Sequence, residues 1–303
     1  MTAFEKKLRA KCERCSEASI KVYLRNVKRL HKLVGDGEIP ETGAWLSKEN
    51  LFSKFKGLTA PQKRSLAVAA VIAAKSYGKP IEKWETLMYK TQGDYLEKRN
   101  KNIKSDVEKK KWPKGGFAAI KKAAVEMKKR IRHVISGKPT LQGLYKYQLF
   151  ICLKLFQDLP FRNSFADMKV SKGEGNYIEI PPKGNIKFVM RKFKHSKSIG
   201  ERSIPIGRAN TIQLKKFLKY REQLDLKHPY LLSTQSGKKM TRPTLSKALH
   251  KITRVLLGKS IGSRQIRVMF ATANKEAIDK ASDVAERLLH ANRTSQTKQY
   301  TRK

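Results

Sequence analysis

Acidic side chains are scarce in this sequence: 25 Asp and Glu stand against 68 Lys and Arg, leaving a formal net charge of +43 over 303 residues. Such an imbalance excludes a chain that repels phosphates. It fits a polyanionic partner bound with steep salt dependence, and by itself says nothing of base sequence or chemistry. Cysteine is scarce too. Cys12, Cys15 and Cys152 cannot build a disulfide framework, so a reducing compartment is the default. The pair in CERC has zinc-ligand spacing, but a four-ligand site needs a second pair and His31 is the only nearby imidazole, so no metal is expected. Long apolar runs are missing as well. No stretch reaches the length of a membrane span, and the opening MTAFEKKLRAK lacks the apolar centre of a signal peptide. The expectation is a soluble intracellular protein, nuclear or cytoplasmic, without a membrane partner.

What is present is enough apolar material, 39% of residues, to bury one large core or two smaller ones. The first hundred residues read as helices. In SEASIKVYLRNVKRLHKLVG, Ile20, Tyr23, Leu24, Val27, Leu30 and Val34 recur at helical spacing, with Ser16 or Ser19 as a cap and Gly35 as a stop. Lys21, Arg25, Lys28, Arg29 and Lys32 line the opposite side, a stripe suited to a phosphate backbone or simply to solvent. The alanine-rich TAPQKRSLAVAAVIAAKSYG permits close helix packing. From Lys98 to Gly116 the chain is charged, poor in apolar residues and broken by Pro113 and two glycines, which marks a domain boundary. Two helices follow, over FAAIKKAAVEMKKRIRHVI and TLQGLYKYQLFICLKLFQDL. The stretches NYIEI, IKFVMRKF and RSIPI then read as short strands, and the remainder returns to helix.

Chemistry-bearing residues sit in four separated segments. LPFRNSFADMKV places Arg162 after an apolar helix and a helix-breaking proline. KFKHSKSIGERSIPI reads as a β-hairpin with Lys194 just before its tip. IGSRQIRVMFATANKE holds Arg264 and Arg267 one helical turn apart, and LLHANRTSQTKQYTRK carries His290 and Tyr300. Each alone has a bland reading as a cap, a surface cation or an idle terminal aromatic.

Taken together, the order Arg, hairpin Lys, Arg-x-x-Arg, His, Tyr resembles the catalytic domain of the tyrosine recombinases, the phage-integrase family. The phrases KFKHSKSIGE and LPFRNSFADM are most similar to integrases of virus-like mobile elements of eukaryotes. The resemblance implies that Arg162 and Arg267 bind the scissile phosphate, that Lys194 and His290 assist, and that Tyr300 is the nucleophile. It also implies a mainly α fold with a small antiparallel β-sheet, arranged as a two-domain clamp on duplex DNA. A helical core-binding domain would span 1–105, a linker 106–116 and the catalytic domain 117–303. The partner that the resemblance implies is double-stranded DNA, held by a homotetramer, with a monomer in free solution and no cofactor. Two positions depart from the family pattern. Arg264 stands where a histidine is usual, and Phe165 where an acid is usual, so Asp167 or other groups must orient Arg162. The alternatives are a type IB topoisomerase, disfavoured by the helical amino-terminal part, and a non-catalytic DNA-binding descendant of a recombinase.

Overall fold

The computed structural model describes residues 1–13, 15–101, 103–194 and 196–280. Contacts divide the chain into two compact units, Met1–Lys101 and Asn102–Lys303, and each surrounds its own apolar cluster.

The first unit is helical: α1 (Ala3–Lys11), α2 (Glu17–His31), α3 (Glu49–Lys56), α4 (Ala60–Tyr77) and α5 (Glu82–Asn100). Ser16 caps α2, its hydroxyl accepting the Ser19 N–H at 3.2 Å. Ile20, Val27 and Leu30 of α2 are buried, as are Ala67, Ala70, Ala73 and Ala74 of α4, whose small side chains let the two helices approach. The helix α2 stops at His31, short of Gly35, because the N–H groups of Val34 and Gly35 both turn back to the His31 carbonyl. Across the α1–α2 turn, Cys12 and Cys15 form a disulfide. Three cysteines still make no framework, but this turn brings the two Cα atoms to 5.3 Å, inside the range a disulfide spans. Cys152 is buried, and burial pushes its thiol up to about 12.

The second unit begins with α6 (Asp106–Lys111), a short helix within the lysine-rich segment, closed by a capping box between Ser105 and Glu108. After it come α7 (Ala118–Arg130), α8 (Arg132–Ser136) and α9 (Leu141–Asp158). The single helix expected across α7 and α8 is broken at Ile131, whose φ of −103° and ψ of 11° leave the helical region as its side chain enters the core. Capped by Thr140, α9 is buried on most sides.

The sheet is β1 (Met168–Lys169), β2 (Asn176–Glu179), β3 (Lys187–Met190) and β4 (Arg202–Pro205), paired in that order. The pairs β2/β3 and β3/β4 are antiparallel, as expected, but β1 joins β2 in parallel, so the sheet is mixed. A two-residue strand carries no periodicity to read. It exists because Val170 N–H donates to Pro229 O and Leu231 N–H to Met168 O, at 2.8 and 2.7 Å. The chain then continues as α10 (Ser196–Ile199), α11 (Arg208–Glu222), α12 (Arg242–Leu257), α13 (Ser263–Ala273) and α14 (Lys275–Lys280). Among the described residues no helix is long and apolar enough to cross a membrane.

Candidate active site

Arg162 sits where α9 ends. Successive tight turns, Phe161 N–H to Leu159 O at 2.7 Å and Asn163 N–H to Phe161 O at 3.0 Å, reverse the chain after Pro160. Asn163 then takes φ 58° and ψ 18°, the left-handed region that asparagine tolerates better than most residues. Phe161 and Phe165, on either side of Arg162, are fully buried. Phe165 lies 5.1 Å from the Phe156 ring, 5.4 Å from Phe161 and 5.8 Å from Phe188. Arg162 itself is half-buried, without a hydrogen bond or ion pair among the described residues.

Asp167 does not orient Arg162. Its carboxylate is taken by Arg242, the first residue of α12, and Asn163 Nδ2 donates to the Arg242 carbonyl at 3.5 Å. The turn after Arg162 is therefore pinned to the start of α12 from two points. Proximity in sequence suggested an Arg162–Asp167 pair, but the chain reversal presents Asp167 to a residue 75 positions away.

Arg267 is 2% exposed, and its Nη1 donates to Pro160 O at 2.8 Å. This bond brings α13 against the turn that carries Arg162, so the two arginines named from sequence come from neighbouring backbone. Ile266, Met269 and Phe270 anchor α13 in the core. Arg264, three residues earlier on the same helix, is exposed. The start of α13 is also held from α12: Thr253 Oγ1 accepts the Ile261 N–H at 2.8 Å, and His250 Nδ1 lies 3.0 Å from Ser260 Oγ. Gly262, the N-cap of α13, lies directly against the imidazole, and a Cβ there would be 2.6 Å from its Nε2.

Lys194 is exposed in the β3–β4 connection. That connection is longer than a simple hairpin turn. The pairing ends at Met190 and Arg202 because the buried Asn176 captures the next stretch of backbone. Its Oδ1 accepts the N–H groups of Arg191 and Lys192 at 2.9 and 2.8 Å, and its Nδ2 donates to Lys192 O at 2.9 Å. An Arg191–Glu201 ion pair closes the root of the connection. His290 and Tyr300 lie outside the described residues.

Lys21, Arg25, Lys28 and Arg29 of α2 and Lys32 at its C-cap are all exposed and line a shallow concavity of 460 Å³ together with Thr2, Glu5 and Leu24. The nearby carboxylates of Glu5 and Glu17 are both occupied by Arg9. None of the five cations forms an ion pair among the described residues, so all five charges face outward. The described residues contain no group of three His, Cys, Asp or Glu that could hold a metal ion.

Sequence reasoning missed Asn163, Asn176, Arg242 and His250. Only Asn163 left a signal, an asparagine after a proline-led turn. The other three act across 15 to 79 residues of chain or, for His250, across a helix–helix joint.

No protein-family model matches the sequence, and no curated protein does. Solved structures share the fold. The XerH site-specific recombinase bound to difH substrate, in a pre-cleavage complex, aligns with a TM-score of 0.60 at 14% identity, over 99% of this chain and 92% of that one. Its post-cleavage complex on a palindromic difH substrate aligns with a TM-score of 0.63 at 14% identity, over 98% and 90%. The mainly helical architecture with a small mixed sheet is thus the fold of a site-specific recombinase. In both of those structures XerH is bound to its difH substrate.

Proposed function

We propose that the protein is a tyrosine-type site-specific recombinase that cleaves and rejoins duplex DNA through a 3′-phosphotyrosine at Tyr300. The observation that carries this reading is the buried Arg267, bonded to Pro160 O beside the turn of Arg162, on a fold shared with XerH. Attack of a phenol on a phosphodiester concentrates negative charge on the two non-bridging oxygens. Guanidinium forks match that geometry and keep their charge at any working pH. Arg162, with no protein partner among the described residues, is available for one oxygen, and Arg267 sits beside it.

The Tyr300 oxygen forms a bond to phosphorus as the bond to the 5′-oxygen breaks. The phenol, with an ordinary pKa near 10, loses its proton as it attacks, to His290 or to water. Lys194 on the β3–β4 connection protonates the departing 5′-oxygen. The phosphotyrosine conserves the bond energy, so a second strand's 5′-hydroxyl reverses the step without a nucleotide cofactor or a metal. Arg264 contributes fixed charge that no proton transfer removes. The helical part, 1–105, grips the duplex through the α2 stripe, 106–116 links it to the catalytic part, 117–303, and four copies assemble on DNA. The phrases around Lys194 and Arg162 favour an integrase of a virus-like mobile element.

The test is incubation with nicked suicide substrates drawn from the flanks of the encoding element. The parent protein should form a covalent 3′-linked adduct. Tyr300→Phe should bind DNA equally and form none, and an adduct in that variant sinks the nucleophile assignment.

A further inference from the structure

Two adjoining cavities open on the second unit, and no residue given a role above lines either of them. One, of 380 Å³, is walled by Lys121, Val125 and Lys128 of α7 and by Ile212 of α11, with Phe150 and Lys154 of α9 beneath. The other, of 510 Å³, continues past Val125 and Lys128 to Ile135 and Arg132 of α8. Because Val125 and Lys128 line both, they form one groove running along α7. Val125 is 59% exposed and Ile212 45%, two of the few large apolar side chains that the fold leaves in water. Neither cavity has a carboxylate among its described lining residues.

We propose that this groove docks an acidic amphipathic helix of a partner protein. The spacing of Lys121, Val125 and Lys128, at i, i+4 and i+7, alternates charge and apolar surface along a single face of α7. A helix laid in the groove would set apolar side chains at its own i, i+3, i+4 and i+7 positions against Val125, Ile212 and Phe150. Its carboxylates would meet the lysine rims. Duplex DNA fits less well, since phosphates gain nothing from an exposed valine and isoleucine. The α2 concavity shows the contrast: five cations with Leu24 as the only apolar member of its lining. Cavities of this size fall within the roughly 300–1,000 Å³ that accommodates buried ligand groups.

The experiment uses the full chain and a fluorescein-labelled peptide helix with leucines on one face and glutamates on the other. A peptide of the same composition, scrambled to destroy the apolar face, is the control. The amphipathic peptide should bind at least tenfold more tightly than the scrambled one. Val125→Asp and Ile212→Asp should each abolish that difference while DNA retention and circular dichroism stay parental. Lys21→Glu on α2 should leave it intact. Equal binding of the two peptides, or binding indifferent to both aspartate variants, overturns the proposal. So does loss of DNA retention in those variants, which would assign the groove to DNA. Self-association of the peptide-free chain that Val125→Asp dissolves would assign it to a second copy.

Discussion

Replacing Gly262 by alanine probes the joint that positions Arg267. The backbone there, at φ −101° and ψ 175°, accepts any residue, so no strain arises from the main chain. The difficulty is the imidazole of His250: the new methyl would lie 2.6 Å from Nε2 and 2.9 Å from Cε1. The ring cannot swing aside without leaving Ser260 Oγ, 3.0 Å from its Nδ1. Overpacking of this kind costs about 1–3 kcal/mol, and a broken hydrogen bond about 1 kcal/mol more. At a urea dependence of about 2 kcal/mol per molar, that moves the unfolding midpoint of the second unit down by roughly 1–2 M. If the helix yields instead of the ring, Arg267 moves with it, and cleavage of a suicide substrate should fall by about tenfold or more. The double variant Gly262→Ala, His250→Ala removes the clash and should recover most of both losses, a coupling of about 2 kcal/mol in a double-mutant cycle. A parental midpoint in Gly262→Ala, or strictly additive effects in the cycle, would refute the packing argument.

Three further outcomes are expected. Arg162→Ala should raise the cleavage barrier by about 3 kcal/mol without changing the unfolding midpoint, because no group among the described residues bonds to it, whereas Arg267→Ala should also destabilise the fold by about 1–3 kcal/mol by stripping Pro160 O of its donor; single-turnover cleavage and urea titration separate the two. Neutralising Lys21, Arg25 and Lys28 together should weaken DNA binding and reduce the log–log salt slope by about 0.9 for each phosphate that no longer has a cation against it, and an unchanged slope would remove the stripe from the interface. Burial against Trp45 holds the His31 imidazole below its ordinary range, so the unfolded chain takes up a proton that the folded one refuses. The resulting stability is complete above about pH 6.5 and falls away as pH drops below it. Tryptophan-monitored urea midpoints in a Trp112→Phe background should therefore drop between pH 7 and 5, and His31→Gln should flatten that drop.

Local signals carried much of the fold. The apolar period and the Ser16 cap locate α2, the apolar density of TLQGLYKYQLF marks α9 as central, and the β2, β3 and β4 stretches read as strands from their own residues. Illegible features depend on partners distant in sequence. Two-residue β1 exists through its bonds to 229–231, β3 ends early because Asn176 takes the backbone of Arg191 and Lys192, and the helix after Phe117 breaks at a residue with no breaker chemistry. The candidate site divides the same way. Arg162 and Arg267 were named from their order along the chain. That Arg267 bonds Pro160 O, two residues before Arg162, and that Asp167 serves Arg242, needed the three-dimensional path.

Phe165 has an evolutionary consequence. The family that the site residues resemble usually places an acid at this position, yet here the ring is fully buried among Phe156, Phe161 and Phe188. Phe165→Asp would put an unpaired carboxylate into that aromatic nest and leave a void besides, at a cost of several kcal/mol. The usual acid is thus not one substitution away: the surrounding rings would have to shrink or open first, each step deleterious on its own. The turn after Arg162 is thus held by packed rings on one side and by the Arg242–Asp167 pair on the other, with no carboxylate at position 165.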